Sequence, residues 1–419
     1  MRQTRTNLRR RDFVKGLAGV ACAPYVITTA ALGSAEKAPA SERVTLAHLG
    51  CGERGNPVSQ YFQLRDAQYV AVCDPFQSRR ERFAQRLGGK PYRDLRDMLA
   101  RDDIDLVINT TADHWHILGT VMAAKAGKDV YCEKPFALCL GWALEARRVL
   151  KRLGRVFQWG TQGISNETVR HVADVVRSGR IGTLRRIEVG NGGGGAGGSA
   201  LPRPVPADLD YDLWLGPAAW KPFCEQPMTQ GNWINDYDYS VGWLGGWGSH
   251  YLAVVQLAFD AHLAGPWQIE AKGQVPANGR FNCVIGWDAR FEFANGVTMH
   301  YTTHTNIKFI GTEGWVSCGW EGGANAEPKS LLSPFKPDDV QLRRARGGHG
   351  GDLVAAVKDR GPTTADIDLA TNAEMMVHLP DVAVRTGRKI TWDPKKEAVL
   401  GDEEASRLVY RALREPWQL

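Results

Sequence analysis

The sequence lacks the features of a metal-binding or disulfide-stabilised protein. Its eight cysteines form no Cys-x-x-Cys pair, and none is grouped with the ten histidines at the spacing of metal ligands. Seven cysteines lie after residue 35, and Cys51, Cys73 and Cys132 fall at the ends of predicted strands. We therefore predict no metal centre, and we interpret these cysteines as small core residues rather than as a disulfide framework.

The sequence also lacks an excess of charge beyond its first residues. Of the formal net charge of +6, residues 1–35 carry +5, because six basic residues there face a single acid. The remaining chain is close to neutral, so we predict no nucleic-acid partner and no binding to an anionic membrane. Hydrophobic residues make up 43% of the 419 positions, a balance typical of a globular protein with room for two domains.

No apolar run is long enough for a stable membrane span. The run from Gly16 to Leu32 is short and weakly apolar. It follows Arg10-Arg11-Asp12-Phe13-Val14-Lys15 and precedes the small residues 33–35. This pattern is typical of a twin-arginine export signal, so we predict a signal peptide over residues 1–35 and a periplasmic location. A disordered basic arm is the alternative.

A glycine motif after the first predicted strand indicates dinucleotide binding. The apolar run Val44–Leu49 leads into Gly50, Gly52 and Gly55 in the spacing Gly-x-Gly-x-x-Gly, and a helical pattern follows. The first glycine permits a tight turn, the second lets the backbone approach a pyrophosphate, and the third lets helix and strand pack closely. Asp74 ends the next strand at the distance expected of an acid that bonds the adenosine ribose. A glycine-rich turn in a nucleotide-free α/β domain is the alternative.

Asp74 also favours NAD over NADP as the cofactor. Arg79 and Arg80 follow it and could reach a 2′-phosphate. The carboxylate would repel that phosphate, because like charges at short range disfavour each other. We therefore predict NAD.

Apolar strands and amphipathic helices alternate from about residue 42 to 160, a pattern that predicts a parallel sheet. Ligands of such sheets bind at the carboxyl ends of the strands. The cofactor-binding residues that we predict in the glycine turn and at these ends are Gly50, Gly52, Glu53, Arg54, Gly55, Asp74, Asn109, Thr110, His116, Glu133 and Lys134.

The order of these motifs, with several later ones, resembles the Gfo/Idh/MocA oxidoreductase family. The matching stretches are the glycine motif at Gly50–Gly55, Asp74, the segment ending at His116, Glu133-Lys134-Pro135, Gly160-Thr161-Gln162, Gly242-Trp243-Leu244-Gly245 with His250, and Lys308–Trp315. The matches cover nearly the whole chain after the signal. The resemblance implies an NAD(P)-dependent oxidoreductase and a cis peptide bond between Lys134 and Pro135.

The resemblance implies an α/β fold in two parts. The first is an N-terminal Rossmann dinucleotide-binding domain over residues 42–160. The second is a C-terminal α+β domain over 161–390, with a large open, mostly antiparallel sheet that carries substrate residues and the contacts of a homo-oligomer, a dimer or tetramer. Residues 391–419 are interpreted as a C-terminal arm with a short helix from Asp402 to Leu413.

Two residues are candidates for catalysis. Lys134 emerges at the strand end nearest the expected nicotinamide, where desolvation would lower its pKa and suit it to act as a base. A structural lysine paired with Glu133 or with another neighbour is the alternative. His250 is the second candidate and would hydrogen-bond the substrate, with a purely structural histidine as the alternative.

The surroundings of His250 depart from the family's pattern. The two positions that the family often fills with acids around this histidine are Gly246 and Ala253 here. The usual relay between acid and imidazole is therefore absent in this form. Asp236 or Asp238 in the preceding loop could supply the missing carboxylate.

Residues 232–239 interleave aromatic, amide and acid side chains. Sugars are bound by such mixtures, because rings stack on their C–H faces and polar groups bond their hydroxyls. We predict Asp238, Tyr239 and Trp243 as substrate-binding residues. A packed aromatic loop is the alternative.

Together these patterns predict a periplasmic, NAD(H)-dependent oxidoreductase that acts on a sugar or glycoside with a tightly bound cofactor. Twin-arginine export moves folded proteins, so the cofactor could be loaded before export and retained. One alternative is an NAD-dependent glycosidase-like enzyme that uses transient oxidation, elimination and hydride return. A catalytically silent sugar-binding accessory protein is another, motivated by Gly246 and Ala253.

Overall fold

The computed structural model describes residues 29–224, 231–304, 306–336, 339 and 341–419. The chain divides into two compact units, residues 1–43 and 44–419. In the described part of the first unit, the helix α1 (Thr29–Leu32) precedes a 3-10 turn at Ala40–Glu42. The twin-arginine pair and most of the predicted signal peptide lie outside the described residues.

The second unit begins with a six-stranded parallel sheet in the strand order β3-β2-β1-β4-β5-β6. Its strands are β1 (Val44–Leu49), β2 (Ala67–Cys73), β3 (Lys90–Tyr92), β4 (Leu106–Asn109), β5 (Asp129–Glu133) and β6 (Phe157–Gly160). The helices between them are α2 (Gly55–Tyr61), α3 (Gln77–Leu87), α4 (Leu95–Leu99), α5 (Asp113–Lys125) and α6 (Leu140–Arg152). This order is that of a Rossmann fold, which confirms the predicted class.

Burial on both faces explains why the central strands read as continuous apolar runs. Every residue of β4 and β5 is buried, as in a parallel sheet covered by helices on both sides. Helix α5 is buried around nearly its whole circumference, because it packs between the sheet and α6. The first residue of α5 therefore sits deep in the protein at the carboxyl edge of the sheet.

The chain continues into a nine-stranded sheet in the order β13-β12-β11-β7-β10-β9-β8-β14-β15. Its strands are β7 (Leu184–Gly190), β8 (Trp267–Gln274), β9 (Ile285–Phe293), β10 (Thr298–Thr302), β11 (Asn306–Gly311), β12 (Trp315–Gly319), β13 (Gly322–Glu327), β14 (Ile390–Asp393) and β15 (Ala398–Val399). Neighbouring strands are antiparallel except the pair of β7 and β10. The predicted large, mostly antiparallel sheet is confirmed.

One face of this sheet packs on helices and the other is polar. In β9 the buried residues Trp287, Ala289 and Phe291 alternate with exposed Asp288 and Arg290. The helices of this part are α7 (Glu167–Arg177), α8 (Tyr211–Leu215), α9 (Trp243–Gly246), α10 (Gly248–Phe259), α11 (Gly348–Asp359), α12 (Ile367–Thr386) and α13 (Glu403–Leu408).

The C-terminal residues differ from the predicted arm. Strands β14 and β15 extend the nine-stranded sheet beyond residue 390, and α13 is shorter than the predicted helix from Asp402 to Leu413. Helix α11 returns to the first sheet, where Leu353 and Val354 share a core with Leu46. Sequence periodicity misses these features because the two strands are short and α11 packs against residues far away in the chain.

Among the described residues, no helix has the length and apolar character that a membrane span requires. The seven described cysteines are buried and form no disulfide with one another. No group of three or more metal-ligating side chains comes together in this part of the chain.

Candidate functional site

A cleft with a cavity volume of about 250 Å³ opens at the carboxyl edge of the parallel sheet. We call it the dinucleotide cleft. Its walls come from the glycine turn, the ends of β2 and β4, and the start of the second part of the chain. The predicted cofactor-binding residues that line it are Gly50, Gly52, Glu53, Arg54, Asp74 and Thr110.

The glycine turn has the geometry that a dinucleotide needs. Gly50 has a φ of +90°, and a Cβ there would lie 2.6 Å from the Thr111 amide nitrogen. A Cβ on Gly52 would meet only Arg79, at 3.9 Å, so the space in front of this backbone is open. Gly55 packs on the carbonyl oxygen of Gly50, which a Cβ would approach to 2.7 Å. The residues present therefore fit a bound dinucleotide.

Asp74 supports the turn through its carboxylate. One oxygen accepts a hydrogen bond from the Cys51 amide at 2.7 Å, and the other accepts one from the Phe76 amide at 2.8 Å. Burial raises the pKa of this carboxyl, and the two amide hydrogen bonds oppose the shift. Arg79 and Arg93 line the cleft beside it, so both signs of charge meet at this end.

Asn109 and His116 lie beneath the cleft and are not among the residues that line it. The amide nitrogen of Asn109 donates to the His116 carbonyl oxygen at 3.0 Å. The ring nitrogens of His116 lie 2.6 Å from the carbonyl oxygen of Pro135 and 3.0 Å from that of Thr111. We correct their predicted contact with the cofactor to a supporting role, because both side chains are buried and already bonded.

Lys134 lies at the end of β5, and its bond to Pro135 is cis, as the resemblance implied. Its Nζ donates a hydrogen bond to the carbonyl oxygen of Gly246 at 2.8 Å and lies 5.5 Å from the centre of the Trp247 ring. Burial lowers the pKa of this amine, and the charges of Glu133 and Asp113 oppose the shift only in part. A lysine with a lowered pKa suits the role of a base.

Glu133 is occupied by other partners. Its Oε1 accepts hydrogen bonds from Tyr131 at 2.8 Å and Gln162 at 2.8 Å, and pairs with Arg54 at 3.1 Å. Burial would raise the pKa of Glu133, but the nearby Arg54 guanidinium holds it below its usual value. Among the described residues Arg54 is the ion-pair partner of Glu133, and the Lys134 amine bonds the Gly246 carbonyl, the kind of pairing with another neighbour that the structural alternative allows.

His250 lies on α10 close to Lys134. Its ring stacks on Trp320 with the ring centres 4.0 Å apart, and it lies 5.5 Å from the ring centre of Trp247. Its Nδ1 is buried without a hydrogen-bond partner among the described residues. Burial lowers the pKa of His250 well below its ordinary value, and the charges of Lys134 and Arg54 lower it further. The imidazole is therefore neutral and keeps one polar atom free for a ligand.

Neither acid proposed from the preceding loop serves His250. Asp236 is buried, with an ion pair to Arg280 at 2.6 Å. Asp238 pairs with Lys221. Two acids act on Lys134 through their charge, Glu133 and, to a smaller extent, Asp113, the first residue of α5. We call the group formed by Asp113, Lys134, Gly246, Trp247 and His250 the lysine corner.

The structure separates the predicted substrate residues. Trp243 is half-buried and stacks on Trp247 with ring centres 6.4 Å apart, which places it beside the lysine corner. Tyr239 is fully buried, packs on Trp214, and accepts a hydrogen bond from Arg280. The prediction that Tyr239 contacts substrate is corrected to a packing role, because no surface of it is open.

Two residues of the site escaped the sequence analysis. Asp113 lies four residues after the end of β4 and begins the next helix, so its position near a strand end was a usable signal. Trp320 lies in the tight turn between β12 and β13, and no local pattern marks it. Its backbone is seated on Gly163, since a Cβ at that glycine would overlap the Trp320 carbonyl.

Comparisons with known proteins follow the same division of the chain. Residues 44–161 match the Gfo/Idh/MocA family description "Oxidoreductase family, NAD-binding Rossmann fold". Residues 165–419 match the description "Oxidoreductase family, C-terminal alpha/beta domain". Together the two matches cover both sheets.

Curated relatives match over a shorter region. A "Glycosyl hydrolase family 109 protein" of Shewanella baltica is 33% identical over 158 residues, which is 32% of this chain and 34% of the relative. An "Uncharacterized oxidoreductase" of Streptococcus pneumoniae is 30% identical over 135 residues, 32% of this chain and 36% of the relative. The chain thus spans about a third of the length of the curated relatives it matches.

Solved structures share the fold over most of the chain. The WlbA dehydrogenase from Chromobactrium violaceum, in complex with NADH and UDP-GlcNAcA, has a TM-score of 0.62 at 18% identity, covering 84% of this chain and 96% of that one. An aldose-aldose oxidoreductase from Caulobacter crescentus has a TM-score of 0.62 at 16% identity, covering 83% and 99%. At such identities the likeness shows the fold alone.

Proposed function

Because the chain belongs to the Gfo/Idh/MocA oxidoreductase family, an NAD-dependent class, we propose that it oxidises a hydroxyl group of a sugar or glycoside with a retained NAD(H). The observation that carries this proposal is the Lys134 amine, which is buried at the end of β5 and bonded only to a carbonyl oxygen among the described residues. Burial lowers the pKa of this amine and so favours the neutral form, whose free electron pair can accept a proton.

The glycine turn, Asp74 and Thr110 would hold the dinucleotide, whose nicotinamide supplies the hydride acceptor when bound. The chain's own residues handle the proton. As the substrate carbon loses a hydride, its hydroxyl must lose a proton, and the neutral Nζ of Lys134 accepts it. The neutral His250, with its unpartnered Nδ1, would hydrogen-bond the same or an adjacent hydroxyl and fix its position.

A sugar fits the surroundings of Lys134. Trp243, Trp247 and Trp320 line up beside the lysine corner, with successive ring centres 6.4 and 5.7 Å apart. Flat aromatic faces stack on the C–H surface of a sugar ring, and polar atoms beside them bond the hydroxyls. The named sugar chemistry of the curated and structural relatives points the same way.

The retained cofactor and the periplasmic location rest on the N-terminal sequence. Free NAD is scarce outside the cytoplasm, so an exported enzyme gains from a dinucleotide that stays bound through successive turnovers. We expect most of the protein in the periplasmic fraction of its host, and Arg10→Lys with Arg11→Lys should keep it in the cytoplasm. Equal export of this variant would contradict a twin-arginine signal.

A second candidate is a glycosidase-like reaction by transient oxidation, elimination and hydride return. The relatives described as glycosyl hydrolases favour it, although their match covers only about a third of this chain. A first oxidation at Lys134 is common to both candidates, so the corner does not distinguish them.

One experiment tests both. Protein purified after export is denatured and its dinucleotide is quantified, and native protein is incubated with a panel of sugars and nitrophenyl glycosides. An oxidised sugar with a second sugar reduced supports the oxidoreductase. Release of nitrophenol without net NADH supports the glycosidase-like reaction. Absence of dinucleotide even after reconstitution would contradict both.

A further inference from the structure

Among the described residues no carboxylate bonds the Nζ of Lys134, but a chain of hydrogen bonds joins this amine to Asp113. Asp113 Oδ2 accepts a hydrogen bond from the Ser240 hydroxyl at 2.6 Å, and the Ser240 oxygen accepts one from the Gly242 amide at 3.0 Å. Across the single turn of α9, the Gly246 amide donates to the Gly242 carbonyl at 2.7 Å. The Gly246 carbonyl then accepts the hydrogen bond from Lys134 Nζ at 2.8 Å.

From this chain of contacts we propose that Asp113 is a positioning residue for Lys134: through Ser240 it fixes the turn that presents the Gly246 carbonyl, and its own charge adjusts the affinity of the amine for a proton. The inference rests on the proposed role of Lys134 as the base.

The backbone between Ser240 and Gly246 is shaped for this purpose. Gly242 has a φ of +74°, and a Cβ there would lie 2.6 Å from the Cβ of Cys283. A Cβ at Gly246 would lie 2.7 Å from the Ile234 side chain. A residue with a side chain at Gly246 would therefore push against Ile234, whereas glycine lets the carbonyl turn toward Lys134.

Of the carboxylates near Lys134, Asp113 is the one without a basic partner of its own among the described residues. Glu133 is neutralised by Arg54, and Glu374 on α12, which faces Asp113, lies 2.9 Å from the His378 ring nitrogen. No lysine, arginine or histidine nitrogen pairs with Asp113 among the described residues. The titratable and charged groups that act on the amine or on Asp113 are Glu133, Arg54, His116, His250 and Glu374.

Burial affects the two groups in opposite directions. It raises the pKa of Asp113 and lowers the pKa of Lys134, and each group's charge opposes the shift of the other. Replacing Asp113 by Asn therefore removes a negative charge that stabilises the protonated amine of Lys134. The pKa of Lys134 should fall, and the acid limb of a reaction that needs the neutral amine should move to lower pH.

The test compares Asp113→Asn, Ser240→Ala and the control Asp352→Asn in the holoenzyme. Asp352, on α11, is likewise a buried acid, but it pairs with Arg343. In Asp113→Asn the acid limb of kcat/KM should shift by about 1 pH unit to lower pH. In Ser240→Ala kcat should fall about tenfold because the positioning is lost. The limb should move in the same direction but by less than in Asp113→Asn, because the carboxyl loses the hydrogen bond that favours its ionised form but is still present. The control Asp352→Asn should keep the wild-type acid limb and the wild-type kcat.

A second readout does not depend on substrate. In protein labelled with 13C-lysine, the Cε signal of Lys134, assigned by its loss in Lys134→Ala, reports the protonation of the amine directly. We expect its titration to move to lower pH in Asp113→Asn and to match the wild type in Asp352→Asn. An unchanged titration in Asp113→Asn would overturn the inference even if activity fell.

The two readouts also separate this inference from the proposed function. A wild-type enzyme inactive on every sugar, with a Lys134 titration that shifts in Asp113→Asn, would contradict the proposed substrate class and leave the coupling between the two residues supported. An active enzyme whose limb and titration are the same in all three variants would support the function and refute the role of Asp113.

Discussion

The dinucleotide cleft and the lysine corner lie at the same edge of one sheet, yet they offer different chemical groups to a ligand. The cleft presents backbone at Gly50 and Gly52, with charged side chains at its outer end. The corner presents buried side chains, among them Lys134 and His250, whose pKa values are both lowered by burial. Ligand binding by backbone groups depends on the conformation of the turn. The reactivity of buried side chains depends on how much water and charge surround them.

This difference teaches where substitutions should act. In the cleft, adding a single Cβ changes the shape of the turn or fills the space for the ligand. In the corner, an isosteric change such as Asp113→Asn should leave the shape unchanged but alter the protonation of Lys134. Binding and chemistry should therefore be separable by mutation, and each of the following experiments tests that separation.

The largest effect is expected for Lys134→Ala. Loss of the proton acceptor should lower kcat by about 10³-fold, within the usual range for general bases, while the dinucleotide stays bound. The matched control is Lys128→Ala, since Lys128 is also buried and donates to a backbone carbonyl, that of Arg101 at 2.7 Å. Turnover and released dinucleotide are measured for each. Wild-type rates in Lys134→Ala would refute the catalytic assignment.

The next effect concerns two glycines of one turn. Gly50→Ala forces a side chain into a φ of +90° against the Thr111 amide, so the free energy of unfolding should fall by about 1–3 kcal/mol. Gly52→Val has open space in the free protein, so Tm should stay while the affinity for NADH falls about tenfold as the side chain enters the ligand's space. Thermal unfolding and NADH fluorescence titration measure the two quantities. Equal loss of Tm in both variants would contradict the distinction.

Trp320→Ala should change the pH dependence of the corner. Burial lowers the pKa of His250, and Trp320 covers one face of its ring. Without the indole, water reaches the imidazole and its pKa rises toward the ordinary value of about 6.5. Below about pH 6.5 the variant should lose more kcat than the wild type, because protonation of His250 then occupies Nδ1 in addition to the protonation of Lys134. Trp315→Ala is the control, since Trp315 contacts Lys308 instead. If kcat depended on pH in the same way in Trp320→Ala and the wild type, the result would argue against a role for a neutral His250.

The same contrast explains what could be predicted from the sequence. Local sequence patterns predict the glycine turn, the Rossmann order and the end of β5. In each of these short stretches, the backbone conformation restricts which residue types can occur. The mostly antiparallel sheet was reached through the family resemblance. The bond network of the corner was not predictable, since Asp113, the stretch from Ser240 to Gly246, and Trp320 come from three segments that meet only in the folded chain.

The errors have the same origin. Tyr239 looked like a ligand because aromatic and polar residues alternate around it, but the alternation serves to pack it on Trp214 under Arg280. His116 stood at a strand end and was read as a cofactor ligand, whereas its ring holds the Pro135 carbonyl. A polar residue near a site satisfies the backbone as readily as a ligand, and the pattern of residue types is the same in both cases.

The smallest effect tests the preference for NAD. The outer end of the cleft holds Asp74 together with Arg79 and Arg93. Asp74 uses both oxygens on backbone amides, so the arginines determine how well a 2′-phosphate is tolerated. We expect NAD to bind more tightly than NADP, and Arg79→Ala to weaken NADP about fivefold, or about 1 kcal/mol, without changing NAD. Exposed Arg82 on the same helix is the control. Titration of both dinucleotides decides, and an equal loss for NAD and NADP would show that Arg79 only shapes the cleft.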